Sequence, residues 1–495
     1  MLIRDKSKKW KAYLLRFFLL LIFAYCLLLL PDADSPAPKN LVGTPFVWNQ
    51  NERWEATEKH FSESRKEGCN KLKEKLDTSL ESCEKLIAQL STVKYEVQDS
   101  IFDTIEEKVF SLGPMVAVCS ERLKSYIHLA ASLRGVVKNQ SLHWNLDSTA
   151  TKNRLYRLIY GSRQALEEVM LQVPRDTSLF DIMNYDEPSK TPFTTIMGVK
   201  VHSGDILVSR GGVPTSALIA RGSDYPGNFS HVALVHVDSG KVSIIEAHIE
   251  KGVTVSTLEE YLQDKKLRIM VLRLRSDLPM MRADPMLPHT VATKMLEAVK
   301  SRHIPYDFAM DAFDTSKMFC SEVASSPYRK FGITLWKGIS AISSNGASSW
   351  LSAFGVKNFK TQEPSDLEYD PQLSVVAEWR DWETLFKDHV DNAVIDAMLE
   401  RAERGEQLEY DWFMLPIARV VKEYSLILNL LGGVGPIPEG MNATAALKNK
   451  RLTSRHTLIK TGVLKRAMDF QITNGYVPPY WGLLKFAREV ASFSR

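Results

Sequence analysis

Three residues of this chain could act together on a carbonyl carbon. Cys320 stands in Tyr306-Asp307-Phe308 … Lys317-Met318-Phe319-Cys320-Ser321-Glu322-Val323 and is the only cysteine after Cys119. A helix beginning near Cys320 would favour its thiolate, the nucleophilic form, through backbone N–H groups and the helix dipole. A nucleophilic cysteine also needs a base, and a third group to orient that base. His231, in Asn228-Phe229-Ser230-His231-Val232, opens a strand, and Glu246 lies on the following one. Each residue has a plainer reading. A lone cysteine in an apolar stretch is usually core, and a lone histidine at a strand start is usually a satisfied structural residue. Glu246 is harder to dismiss, because an unpaired carboxylate in an apolar strand is costly.

The elements that must position these groups are legible around them. His231 to Val237, a turn at Asp238-Ser239-Gly240 and Lys241 to Ala247 read as a β-hairpin. A three-residue loop pairs Val237 with Lys241 and sets His231 opposite Ala247, which turns Glu246 to the other face. A bulge or a one-residue slip brings His231 and Glu246 onto the same face. Gly204 to Val208, ending at Arg210-Gly211-Gly212, and Arg268 to Leu274 read as further strands. Thr290 to His303 and Cys320 to Phe331 read as helices. Strands followed by helices indicate an α+β domain.

Helical patterns flank this region. From about residue 50 to 173, a stripe at Cys69, Leu72, Leu76, Leu80, Cys83, Ile87 and Leu90 recurs every three or four residues. Gly113-Pro114 reads as a break, followed by a second stripe through Val118, Leu123, Ile127 and Leu133. A third pattern runs from Leu155 to Val173. Its plain reading is a helical spacer or interaction arm. Cys69 and Cys83 lie about 21 Å apart along one helix and cannot bridge. A Cys83–Cys119 disulfide and three buried thiols are the two expectations. After Asp381 the chain reads as helix again, broken at Gly432-Gly433-Val434-Gly435-Pro436.

The N-terminus suggests an address. Arg4, Lys6, Lys8, Lys9 and Lys11 precede an apolar run from Tyr13 to Leu30 that only Arg16 interrupts. Eighteen helical residues reach about 27 Å, so the run reads as an uncleaved, single-pass signal anchor with the basic flank in the cytoplasm. The remaining chain is then expected outside the inner (cytoplasmic) membrane, in the periplasm if the host is Gram-negative. Pro31 to Lys39 reads as a linker.

Composition bounds the rest. At 495 residues, 25% charged and with a net charge of +4, the chain lacks the footprint of a nucleic-acid binder. Its five cysteines show no CxxC spacing, so a zinc ribbon is excluded. Ser209-Arg210-Gly211-Gly212 is not a phosphate loop, since no Gly-Lys-Ser/Thr follows. Asp307, Asp311 and Asp314 lack the calcium-loop spacing and read as loop carboxylates near the site entrance. No cofactor and no metal are expected.

An ordered set of short words then adds to this reading. Gly204-Asp205-Ile206-Leu207, Arg210-Gly211, Ser230-His231-Val232-Ala233-Leu234-Val235, Ile245-Glu246-Ala247, Tyr306-Asp307 and Cys320-Ser321-Glu322-Val323 occur in that order. Pro364 to Pro371 and Ala377-Glu378-Trp379-Arg380 follow. The series resembles the circularly permuted papain-like hydrolases of the YiiX/YaeF type, a branch of the NlpC superfamily. As in that branch, His precedes Cys. The resemblance spans roughly residues 195–382 and implies Cys320 as nucleophile, His231 as general base and Glu246 as the group orienting the imidazole. His248 is a rival for the third role, because the related lecithin:retinol acyltransferase group uses a second histidine.

The expected organisation is a stub, anchor and linker at 1–39, a helical region at 40–194, a permuted papain-like domain at 195–382 and a helical region at 383–495. The expected activity is a cysteine hydrolase acting through a thioester on peptides, peptidoglycan peptides or lipid acyl groups. A non-catalytic envelope scaffold and an acyltransferase are the alternatives, and the oligomeric state is left open.

Overall fold

The computed structural model describes residues 2–32, 43–48, 50–175, 182–183, 187–314 and 316–493. Its first helices are α1 (Leu2–Leu28), α2 (Gln50–Glu67), α3 (Cys69–Thr92), α4 (Ser100–Val118), α5 (Leu123–Ser141), α6 (Thr149–Leu155) and α7 (Gly161–Gln172). A π turn at Tyr156–Tyr160 joins the last two. In α3 the apolar stripe is the buried face, with Leu72, Leu76, Leu80, Cys83, Ile87 and Leu90 all in the core. Asp99 caps α4 by accepting from the Ile101 N–H. Gly113-Pro114 does not break the chain there; it lies inside α4, which runs on to Val118. Burial on both sides of the pair holds the helix together against the lost N–H bond.

The disulfide also differs from expectation. It joins Cys69 to Cys119, with Cα atoms 5.0 Å apart. Cys69 opens α3 and Cys119 follows the end of α4, so the helix packing brings these two ends together. Cys83 stays a free, buried thiol, pushed up to about 11 by burial.

The expected fold class included a transmembrane helix, and this is corrected. Among the described residues, no helix is long and apolar enough to cross a membrane. Helix α1 ends at Leu28, so Leu29 and Leu30 of the apolar run fall outside it. From Tyr13 the remaining helix rises only about 24 Å, short of a hydrocarbon core of about 30 Å. The single-pass anchor and the inner-membrane localisation built on it are withdrawn. The expected linker lies, from Ala33 on, outside the described residues.

The strands are β1 (Ile182–Met183), β2 (Phe193–Ile196), β3 (Val199–His202), β4 (Ile206–Gly211), β5 (His231–Asp238), β6 (Lys241–His248), β7 (Gly252–Ser256), β8 (Lys266–Leu274), β9 (Ser340–Ala341), β10 (Lys360–Thr361) and β11 (Leu373–Trp379). Seven of them form one antiparallel sheet in the order β1-β11-β8-β4-β5-β6-β7. Between them lie α8 (Pro214–Arg221), α9 (Leu258–Gln263), α10 (Pro279–Ala283), α11 (Leu287–Ser301), α12 (Glu322–Lys330) and α13 (Asn345–Ser352).

Alternation along the strands gives the sheet two apolar faces. Ile206, Val208, Leu234, Ile245, Met270 and Leu272 pack with Val291 and Met295 of α11 and Val323 and Ala324 of α12. Leu207, Val235, Ile244 and Val271 pack with Val201 and Tyr261. Gly204 must be glycine: its φ is +95°, and a Cβ there would lie 2.2 Å from Pro288. The following Asp205 pairs with Arg273 and accepts from the His202 N–H at 2.8 Å.

The C-terminal helices are α14 (Trp382–Glu403), α15 (Leu415–Leu430), α16 (Ala443–Asn474) and α17 (Tyr480–Phe493). They share a core with Leu218 of α8 and Trp350 of α13. The helical regions are no detached spacers. Arg163 and Glu167 of α7, Arg210 of β4, Arg268 of β8, Glu368, Glu378 of β11, Arg380 and Asp388 of α14 form one buried ionic network. Arg134 of α5 joins it at Glu378, 2.7 Å away. The network ties the N-terminal helices, the sheet and α14 together.

Candidate active site

The hairpin decides the geometry. Ser239 and Gly240 have φ of 49° and 78°, the signature of a two-residue type I′ turn. Asp238 therefore pairs with Lys241, and Ala233 with Glu246. The loop is one residue shorter than the expected three. This is the one-residue slip that places His231 and Glu246 on a common face.

Their side chains meet there. His231 Nε2 lies 2.9 Å from Glu246 Oε2, and His248 Nε2 lies 3.1 Å from Glu246 Oε1. Ser256 Oγ of β7 donates to Oε1 at 2.6 Å. His248 is two residues beyond Glu246, hence on its face. The two imidazoles sit 5.6 Å apart with the carboxylate between their Nε2 atoms. Ser256 was missed in the sequence because its partner depends on the β6–β7 register, Glu246 opposite Thr254.

Cys320 lies on the segment leading into α12, which starts at Glu322 with Ser321 as its N-cap. The thiol is buried, and its Sγ is 3.9 Å from the carbonyl oxygen of Ser230, the residue before His231. Cys320, His231 and His248 line one cleft of about 600 Å³, with Ser209, Ser230 and Tyr306. Glu246 stands behind the histidines, almost fully buried.

Burial and hydrogen bonding shift the three groups in different directions. Burial alone would raise Glu246, but hydrogen bonds from His231 and His248 outweigh it and hold the carboxyl far below its usual range. Burial lowers His231, only partly offset by Glu246. Burial, with the Glu363 carboxyl as a second cause, pushes the Cys320 thiol up to about 12. Both shifts favour the uncharged forms of the two groups. Burial of Cys320 works against the thiolate that the adjacent helix N-terminus favours. With the Nε2 proton given to Glu246, the His231 lone pair is on Nδ1.

Other words in the sequence have structural tasks. Arg210 is fully buried and pairs with Asp388 at 3.2 Å. Asp307 accepts from the N–H groups of Ala309 and Asp311, shaping the loop beside Tyr306. Glu322 accepts from the Phe319 N–H and is pushed up to about 8 by burial. Ser321 Oγ donates to the Gln362 carbonyl at 2.6 Å, fixing the segment that carries Cys320.

Among curated proteins, none matches the chain. Residues 200–377, which hold Cys320, His231 and Glu246, match the model of the permuted papain-like amidase enzymes, the YaeF/YiiX or C92 peptidase family.

Proposed function

We propose that Cys320 is the nucleophile of a cysteine amidase, His231 its general base and Glu246 the group that orients the base. The observation that carries this reading is the Glu246–His231 hydrogen bond, made on the wall of the cleft that Cys320 also lines. Nδ1 of His231 takes the thiol proton as sulfur attacks the amide carbon, and the negative charge on the carbonyl oxygen falls to backbone N–H groups, that of Cys320 included. His231 then returns the proton to the leaving amine and a thioester remains. Water, activated by the same imidazole, hydrolyses it. Glu246 stays ionised throughout and stabilises the imidazolium that forms in each half-reaction.

We infer a peptide substrate, with peptidoglycan peptides the first class to test. The cleft wall carries Glu250, Asp264, Lys265 and Lys266 besides His248. Such charged walls suit a polar peptide better than an acyl chain. The test is mass spectrometry of the protein incubated with peptidoglycan peptides, and separately with short-chain acyl esters. A peptide acyl adduct confined to Cys320, lost in His231→Gln, supports the reading. Turnover that persists in Cys320→Ala overturns it. Adducts from esters alone would replace the peptide substrate by a lipid one.

A further inference from the structure

The sheet sorts the charges of the cleft onto two sides of His231. In the order β8-β4-β5-β6-β7, β8 starts at Lys266, β4 ends at Gly211, β5 starts at His231, β6 ends at His248 and β7 starts at Gly252. These ends share one edge of the antiparallel sheet, with Gly211 paired to Lys266 and Ser209 to His231. Lys265 comes just before β8, and Glu250 lies in the turn from β6 to β7; both line the cleft. Neighbouring strands are about 4.8 Å apart, so the three spacings from β8 to β6 set Lys265 and Glu250 roughly 14 Å apart. His231 stands between them, on β5.

The charged groups of the wall divide into two kinds. Asp264 and Lys266 neutralise each other at 2.8 Å, and the Lys266 ammonium also lies 4.1 Å from the centre of the Tyr261 ring. The carboxylate of Glu250 and the ammonium of Lys265 have no ion-pair or hydrogen-bond partner among the described residues. A second ammonium without a partner among those residues stands at the Lys265 end: a Cβ on Gly212, which lines the cleft, would lie 3.4 Å from Nζ of Lys387 of α14. Lys251 follows Glu250 in the chain but does not line the cleft, and its charge acts on Glu260 of α9. One end of the cleft is thus open to a cation and the other to an anion.

We propose that the cleft takes short linear peptides with both termini free, the ammonium at Glu250 and the carboxylate at Lys265 and Lys387. This rests on the cleft being the substrate site of a cysteine amidase. Four extended residues span about 14 Å, which matches the separation of the two ends. Charge-assisted hydrogen bonds at both ends select for length as well as charge, because a chain that is too short engages only one of them.

The probe is tetraalanine, titrated by calorimetry into the whole chain carrying Cys320→Ala, so that no turnover intervenes. N-acetyl-tetraalanine and tetraalanine amide each lack one terminal charge. Saturable binding of tetraalanine is expected, weakened about tenfold or more by either cap. Glu250→Gln should weaken tetraalanine as acetylation does and leave the acetylated peptide unchanged. Lys265→Gln with Lys387→Gln should do the same for the amide. These paired losses separate a contact with the terminus from a general disturbance of the cleft, which would weaken free and capped peptides alike. Failure of tetraalanine to bind, equal binding of free and capped peptides, or equal losses for both in Glu250→Gln would overturn the proposal. The amidase reading is tested apart from this, by mass spectrometry of the chain with Cys320 intact. A Cys320 adduct formed equally well from capped peptides would keep the amidase and reject the terminal contacts. Charge-selective binding without any adduct would keep the contacts and reject the amidase.

Discussion

Two buried carboxylates, Glu246 of β6 and Glu167 of α7, meet the sheet in different settings. Ser209 pairs with His231 and faces the cleft, while the next residue, Arg210, pairs with Arg268 and by alternation points to the other side. On the cleft side Glu246 is held by two imidazoles and a hydroxyl. On the other side Glu167 is held chiefly by arginines, with His389 Nε2 farther off at 3.6 Å. Burial opposes its charge, but Arg268, Arg163 and Arg380 keep it well below the usual carboxyl range. Both carboxylates are ionised, yet their partners differ in kind. Guanidinium groups do not release protons, so the arginine network is a fixed joint. Imidazoles exchange protons near neutrality, so burial next to histidine suits the proton transfer proposed for His231.

This contrast can be broken by substitution. The largest effect is expected at the cleft: His231→Gln should lower kcat/KM for a peptide substrate by roughly 10²- to 10⁴-fold. Its thermal midpoint should stay close to wild type. The mirror image is Arg268→Met, which leaves Glu167 and Asp388 short of a partner and should cost about 3–5 kcal/mol in denaturant unfolding. The folded fraction should keep its kcat. If Arg268→Met instead reduces kcat with stability intact, the division between joint and proton device is wrong.

Smaller effects sharpen the picture. Replacing Cys69 and Cys119 by Ser should cost about 2–4 kcal/mol in the same unfolding measurement, since the bridge closes a loop of sequence separation 50 far from the cleft. The pH profile comes next. The base works when neutral, and burial lowers His231, so the acid limb of kcat/KM should fall below the ordinary imidazole value of about 6.5. Glu246→Gln removes the group that raises His231 and should move that limb further down while lowering kcat. A limb above 6.5 would mean that the carboxylate outweighs burial. The smallest change is expected for His248→Gln, which spares the His231–Glu246 bond and should reduce kcat less than tenfold; a loss matching that of His231→Gln would transfer the base role to His248.

Much of this arrangement was legible in the residues, for identifiable reasons. The hairpin, the stripe of α3 and the glycine break after α15 follow from local patterns that survive burial. Glu246 stood out because an apolar strand rarely carries a carboxylate without cause. The turn length was misjudged because Asp238-Ser239-Gly240 reads equally as two or three loop residues, and only the positive φ of Ser239 settles the count. The Cys69–Cys119 bridge and the arginine network depend on helix packing across long sequence separations, which no local pattern encodes. The hydropathy of the N-terminal run does not show where its helix ends, at Leu28.

The Ser239-Gly240 turn has a consequence for how such a site can change. Whether His231 and Glu246 meet depends on a parity, since side chains alternate along each strand. A slip of one residue between β5 and β6 would separate the two groups, although every residue of the cleft would still be present, and a slip of two would return them to a common face. Residues added at the exposed tip need not cause such a slip, since hairpins also close with three or four loop residues; what the turn fixes is the phase of β6 against β5.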